Sequence, residues 1–333
     1  MIKSERISMN EFEIIDEFLA IKVKNRKDVI HGVGDDCALL KVPRGQRLAV
    51  SMDTLVAGVH FLENSNAADI AHKAIAVNLS DLAAAGAEPA WITVSLTLPE
   101  YDHQWLKDFN HGLVKMLDYF GIQVVGGDTC QGPLSITIQA HGFVPEKVFC
   151  RRDTAKAGEL ICVTGALGDA ALGLKVARNE IEIAEADHKT HLLNKYYRPY
   201  PQVAAGIALR SRATAGIDIS DGLLADLSHI SRASDVGALL RWERIPLSTA
   251  AKSVANKEQL MKSALTGGDD YQLCFTVPED ELDATIQALE TVGSTCVPIG
   301  RMTGKPGVRL LDEDQEVNLN EVGFKEFGFQ HFS

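Results

Sequence analysis

Long apolar runs are missing from this chain of 333 residues. A membrane helix needs roughly 20 consecutive apolar residues, and the nearest approach, LAAAGAEPAWITVSLTLP, is broken by Glu88 and Pro89. The opening MIKSERISMNEFEI lacks the apolar core of a secretory signal. Cysteine is sparse: the residues at 37, 130, 150, 162, 274 and 296 form no C-x-x-C pair and no zinc-like spacing. Scattered thiols suit a reducing compartment, so a cytoplasmic protein without a membrane partner is expected. Clustered cations are missing too. Net charge is -12, and Arg151-Arg152 is the only arginine pair, which argues against a nucleic-acid-binding face.

The common phosphate signatures are also absent. The pattern nearest to G-x-x-x-x-G-K-[ST] is TGKP at 303–306, and no G-x-G-x-x-G opens a βαβ unit. DISDG lacks D-x-D-x-T spacing, and the ten histidines form no H-E-x-x-H.

What the chain has is the composition of a globular protein, 46% hydrophobic and 23% charged, with length for two domains. The capping box Ser8-Met9-Asn10-Glu11, ahead of Phe12, Ile15 and Leu19, predicts a first helix. RLAVSMD predicts a strand ending at Asp53, and 68–85 a helix stopped by Gly86 and Pro89. WITVSLTL predicts a strand, 102–120 a helix closed by Gly121, and IQVVGGD and SITIQAHGFV two more strands. Polar PEKVFCRRDTAKAG, 145–158, reads as a boundary. Beyond it ELICVTG opens a second alternation, with helices near 168–179, 201–212, 221–234 and 280–292 and strands near 214–219, 271–277 and 296–300. Two α/β domains with a mixed sheet in each are expected, 1–148 and 149–333.

Aspartates stand where these elements end. In GVGDDCALL, Asp35 and Asp36 sit beside an apolar run that reads as a buried strand. Asp53 ends SMD, Asp128 stands in GGDTC, Asp218 and Asp221 in IDISDG, and Asp269 and Asp270 in GGDDY. One such loop is an ordinary Gly-Asp turn; a repeated theme at strand ends points to a ligand. Asp81 shares a helix face with Ala74, Val77 and Ala84, where a carboxylate must pair or reach a cation. Two like charges 4 Å apart repel by about 4 kcal/mol at an effective dielectric of 20. Gathered aspartates therefore call for a counter-charge, and hard oxygens without a Cys or His set favour Mg²⁺ or Ca²⁺. Glycines in GVGD, GGDT, GALGD and SDG let backbone N–H groups approach an anion. His60 shares a loop with Asp53.

SMDTLVAGVHF, AVNLSDLAAAGAEP, GGDTCQGPLSIT, GIDISDGLLADLSHI and GGDDYQLCFTVP, in this order and spacing, resemble the thiamine-monophosphate kinase family. The resemblance runs from about Phe12 to Phe324. It implies an α/β, two-domain fold like that of aminoimidazole ribonucleotide synthetase, and a homodimer whose N-terminal sheets associate. The active site would lie in a cleft between the domains. The implied reaction is ATP-dependent phosphorylation of thiamine monophosphate to thiamine diphosphate, with several Mg²⁺ ions. Carried over by motif, the Mg²⁺ ligands are Asp36, Ser51, Asp53, Asp81, Asp128, Asp218 and Asp221, and Met52 through its main-chain carbonyl. Gly127, Asp128, Arg152 and Ser220 would touch ATP, and His60, Asp269 and Phe324 the thiamine phosphate.

Two departures from the family stand out. Met52 replaces a frequent Thr, and Asp269 a common Glu, so the substrate-facing carboxylate is one methylene shorter and Asp270 is a candidate substitute. No dedicated acid-base residue is expected, because a phosphate nucleophile is already ionised. Two rival readings remain open: another ATP-using enzyme of the same fold, and a non-catalytic protein that binds nucleotide or thiamine phosphate.

Overall fold

The computed structural model describes residues 26–321 and 323. The expected first helix with its capping box at Ser8, and Phe324, lie outside the described residues. The chain clusters into two compact units. One takes residues up to Asn78 together with Pro89–Phe143, the other Leu79–Glu88 together with Val144 onward.

In the first unit, strands β1 (Val29–His31) and β2 (Leu39–Leu40) form a two-stranded antiparallel sheet. The apolar run after Asp36 is therefore no buried strand: Leu39 is 57% exposed. Strands β3 (Gln46–Val56), β4 (Glu88–Leu98), β5 (Gln123–Gln131) and β6 (Ser135–Pro145) form a second sheet in the order β3-β6-β4-β5, with β4 parallel to β5. The strand expected to stop at Asp53 thus continues for another three residues. The helix His103–Phe120 starts where Asp102 accepts the Trp105 amide at 3.0 Å and stops at Gly121, whose φ of 65° suits glycine. Its buried stripe of Leu106, Phe109, Leu113, Met116 and Leu117 follows helical spacing. Gly112 lies so close to the backbone of Ala68 that a Cβ would meet the Ala68 carbonyl oxygen at 2.3 Å.

The helix Ala67–Ala84 is one turn-for-turn match to expectation in extent, but not in exposure. Ala74 and Val77 are buried as expected, and so are Ile75, Ala76, Leu79 and Leu82, which belong to other faces. A helix buried on most of its faces is a core helix rather than a one-sided amphipathic one.

The second unit carries β7 (Leu160–Val163), β8 (Ala215–Asp218), β9 (Gly237–Arg241), β10 (Leu273–Val277), β11 (Val297–Thr303), β12 (Gly307–Asp312) and β13 (Gln315–Glu316). Their order is β13-β12-β9-β11-β7-β10-β8. β12 and β9 run parallel while β10 and β11 pair antiparallel with their neighbours, so this sheet is mixed, as expected. The expected helices appear as Asp169–Ala177, Val203–Leu209, Leu223–Ala233 and Leu282–Thr291. Three helices beyond expectation, Ala186–Tyr197, Thr249–Val254 and Lys257–Thr266, accompany them. The core gathers Ile161, Val163, Ile217, Leu224, Leu227, Leu240 and Ile299 between sheet and helices. Burying each such side chain contributes roughly 1.5–3 kcal/mol. Among the described residues no helix is long and apolar enough to cross a membrane.

Candidate active site

In the first unit, Asp36 is exposed in the loop that joins β1 to β2. Its amide donates to Asp35 Oδ1 at 2.8 Å, and Asp35 Oδ2 lies 3.1 Å from His31 Nε2. Asp35 holds the turn, which leaves the Asp36 carboxylate outside that local bond. On β3, side chains alternate between faces. Ser51 and Asp53 are half-buried on one face, and Met52, 60% exposed, points to the other. Only the main chain of Met52 therefore shares a side with Ser51 and Asp53.

His60 Nδ1 accepts the Val56 amide at 3.0 Å, and the His60 carbonyl accepts Lys73 Nζ at 3.1 Å. An accepting Nδ1 fixes the neutral ring in the tautomer that carries its proton on Nε2. Asp128, exposed on β5, stands opposite Ser95 of β4, and Gly127 opposite Val94. A Cβ at Gly127 would meet the Val94 carbonyl oxygen at 2.1 Å, so glycine is required there for close packing of backbone. β3 and β5 are the two outer strands of their sheet. Measured along the sheet, Asp53 and Asp128 are three strand spacings apart, about 14 Å.

In the second unit the acidic groups are closer. Asp218, at the end of β8, is 3% exposed and accepts the Ser80 hydroxyl at 2.8 Å. Burial, and after it the charge of Asp81, push its carboxyl up to about 7, against the opposing pull of the Ser80 hydroxyl and the Arg152 charge. Asp81 and Asp218 thus act on each other as like charges, with Asp218 buried and Asp81 half-exposed. Arg152 is exposed, and its carbonyl accepts the Ser234 hydroxyl at 2.8 Å.

Ser220 and Asp221 follow β8 in a loop ordered by Asp226, which is not among the residues expected from the sequence. Asp226 Oδ2 accepts the amides of Ser220 at 3.0 Å, Asp221 at 3.1 Å and Gly222 at 3.1 Å. Gly222 precedes the helix Leu223–Ala233 and offers no side chain to cap it, so Asp226 in the first turn reaches back to do so. Burial, then the charges of Asp218 and Asp221, raise its carboxyl well above the ordinary range. The signal that selects Asp81 also selects Asp226: a carboxylate on a stripe with Leu223, Leu227 and Ile230.

Asp269 and Asp270 point apart. Asp270 is buried, with Oδ2 accepting the Gly168 amide at 2.7 Å and Oδ1 the Ala170 amide at 3.4 Å. Burial pushes it up to about 8. Its oxygens cap the helix Asp169–Ala177 from across the unit, so Asp270 is no substitute for Asp269. Asp269 is half-exposed, and the Tyr271 hydroxyl donates to its Oδ1 at 2.9 Å.

Among the described residues no group of three or more His, Cys, Asp or Glu side chains comes together as a metal cage. The pair Asp81 and Asp218 nevertheless fits a hard divalent cation. Its donors are carboxylate oxygens only, one of them deeply buried, and their mutual repulsion is relieved by positive charge.

Residues 34–144 match the AIR synthase related protein N-terminal domain and residues 156–313 the corresponding C-terminal domain. The class is therefore that of the two-domain AIR synthase-like proteins. Thiamine-monophosphate kinase of Escherichia coli (strain K12) is 45% identical over 322 residues, which covers 96% of this chain and 99% of the relative. Thiamine-monophosphate kinase from Stenotrophomonas maltophilia K279a aligns with a TM-score of 0.81 at 41% identity, over 86% of this chain and 92% of that one. AaThiL complexed with AMPPCP and TMP aligns with a TM-score of 0.74 at 30% identity, over 93% and 97%. The chain belongs to the thiamine-monophosphate kinase family, and with it to the phosphotransferases.

Proposed function

We propose that this protein transfers the γ-phosphoryl group of ATP to the phosphate of thiamine monophosphate by direct in-line displacement, giving thiamine diphosphate. The observation that carries the reading is kinship along 93% of the chain with a ThiL protein solved with AMPPCP and TMP. Both reactants are anions, so the work of the site is to bring them together and align them. Asp36, Ser51, Asp53, Asp81, Asp128, Asp218 and Asp221, with the main-chain carbonyl of Met52, would hold several Mg²⁺ ions. Such ions supply positive charge against the phosphates.

Arg152, Ser220, Asp128 and the bare backbone of Gly127 are assigned to ATP. His60, Asp269 and Phe324 are assigned to thiamine monophosphate, with His60 Nε2 as the donating nitrogen, since Nδ1 is committed to the Val56 amide. No side chain has to take a proton from the nucleophile. By sequence, the domain 1–148 carries the first group of ligands and the dimer contact, and 149–333 carries Arg152, Asp218 and the residues after them. A cytoplasmic setting agrees with six cysteines present as free thiols.

Incubation with ATP, Mg²⁺ and thiamine monophosphate tests the reading. Formation of thiamine diphosphate supports it, whereas binding of both ligands without turnover would make the protein a sensor or carrier.

The two carboxylates of the hairpin loop are expected to separate. Asp36→Asn lowers kcat/KM at fixed Mg²⁺ by about a hundredfold, as loss of a charge positioned at the reacting phosphates does. Asp35→Asn keeps a carbonyl oxygen for the Asp36 amide and costs less than about threefold. Steady-state rates check the order, and the reverse order would show that the pair is assigned backwards.

A homodimer is part of the same reading. β3 is an outer strand whose exposed face carries Leu48, Val50, 53% exposed, and Met52. An apolar strip on an open sheet edge is a liability unless it is covered. Val50→Asp should halve the mass seen by light scattering at micromolar concentration. A parent and variant of equal mass would remove this strand from the contact.

A further inference from the structure

The segment Gly267–Tyr271, which links the helix Lys257–Thr266 to β10, has an unusual backbone. Asp269 has φ of 70° and Tyr271 φ of 48°, left-handed values on two non-glycine residues that flank Asp270. Each such residue costs roughly 1 kcal/mol or more and persists only where its surroundings dictate it. The surroundings here do so from several sides. The amide of Asp269 donates to the Ser220 carbonyl at 2.9 Å, the amide of Tyr271 to the Ile219 carbonyl at 2.8 Å, and the Ile219 amide to the Gln272 carbonyl at 2.7 Å. A Cβ on Gly268 would meet the Ser220 carbonyl oxygen at 2.4 Å, so the two loops lie backbone to backbone. Asp270 then fastens the middle of the segment to the amides of Gly168 and Ala170.

This arrangement turns Asp270 inward and leaves Asp269 on the other side, beside the loop of Ser220 and Asp221. Tyr271 is 7% exposed, so its ring is fixed by packing, and its hydroxyl meets Asp269 Oδ1 at 2.9 Å. This hydrogen bond from a buried phenol is a contact that constrains the direction of the Asp269 carboxylate.

We infer that Tyr271 is a positioning residue for substrate recognition, holding Asp269 in the orientation in which its carboxylate meets the organic part of thiamine monophosphate. The inference rests on the assignment of Asp269 to that substrate. It gives the shorter acid at 269 a fixed support, and it gives the strained backbone at 269 and 271 a purpose.

Steady-state kinetics on Tyr271→Phe, Asp269→Ala and the double variant test it. Tyr271→Phe keeps the ring and removes one hydroxyl, so its melting temperature should stay within about 2 °C of the parent. Its KM for thiamine monophosphate should rise about tenfold, the scale of one hydrogen bond to a charged group, with KM for ATP unchanged. In the Asp269→Ala background the same change should add nothing. Equal rises in both KM values, or additivity with Asp269→Ala, would overturn the inference. If Asp269→Ala raises KM for thiamine monophosphate while Tyr271→Phe does not, the inference fails and the substrate assignment stands. If Asp269→Ala leaves that KM unchanged, the assignment fails and takes the inference with it.

Discussion

Asp218→Asn is expected to lower kcat by about a thousandfold, the scale for a group that acts on charge at the reacting centre, while the free protein melts at the same temperature or higher. The two halves of this result have one cause. Asp218 is buried, and its charge is opposed by burial and by Asp81. Asn has the same shape and still accepts the Ser80 hydroxyl, which lies 2.8 Å from the carboxylate. It also removes a like charge from Asp81 and relieves the burial of a charge, which together outweigh the lost attraction of Arg152 in the free protein. Side chains kept at a cost to stability mark sites where function needs them. If Asp218 served only to bond Ser80, Asn would do as well and the enzyme would stay active. Rates at saturating ATP and thiamine monophosphate, with a thermal melt on the same preparation, check both halves. An active Asp218→Asn would remove this residue from the phosphate chemistry.

How much of this was legible in the sequence depended on where the signal lay. The helix His103–Phe120 was, because both of its ends are written in residue types, Asp102 as cap and Gly121 as stop. The helix Ala186–Tyr197 was not: only Leu192 and Tyr196 are buried, too thin a stripe to read in a polar segment. The helix Lys257–Thr266 had its mark in Asn256 and Gln259, a capping box, but no apolar period strong enough to draw attention to it. The buried strand expected after Asp36 failed for the opposite reason, since an apolar Leu39 is no proof of burial.

At the site, aspartates at strand ends were readable as a theme, while the bonds that set their directions were not. Asp35 and Asp36 look alike in sequence, and only the bond from the Asp36 amide divides them. Asp269 and Asp270 look alike too, and the division there is made by backbone at positive φ and by Gly168 and Ala170, about a hundred residues away. Contacts of that separation leave no local pattern. Asp226 is the instructive omission, because the rule applied to Asp81 reaches it without any knowledge of the fold.

Asp226 also carries the second large expected effect. Asp226→Ala should destabilise the protein by about 3 kcal/mol and lower kcat more than a hundredfold. Its single oxygen Oδ2 receives three amides, those of Ser220, Asp221 and Gly222. Of these Gly222 is buried, and a buried donor left without a partner costs about 1–3 kcal/mol, while Ser220 and Asp221 are half-exposed and can turn to water at lower cost. Turning to water, however, unfastens the two residues assigned to ATP and the metal, so activity falls further than stability. Asp226→Asn separates the contributions. It keeps one acceptor oxygen and the side-chain volume, but gives up the charge that strengthens bonds to the helix N-terminus. A positioning role predicts a stable Asn variant with about a tenfold loss, between parent and Ala. Denaturant melts and kcat for the pair check this. Should Asn be as inactive as Ala while keeping the parent's stability, the charge of Asp226 would itself belong to the reacting site, and Asp226 would join Asp81 and Asp218 as a ligand rather than stand behind them.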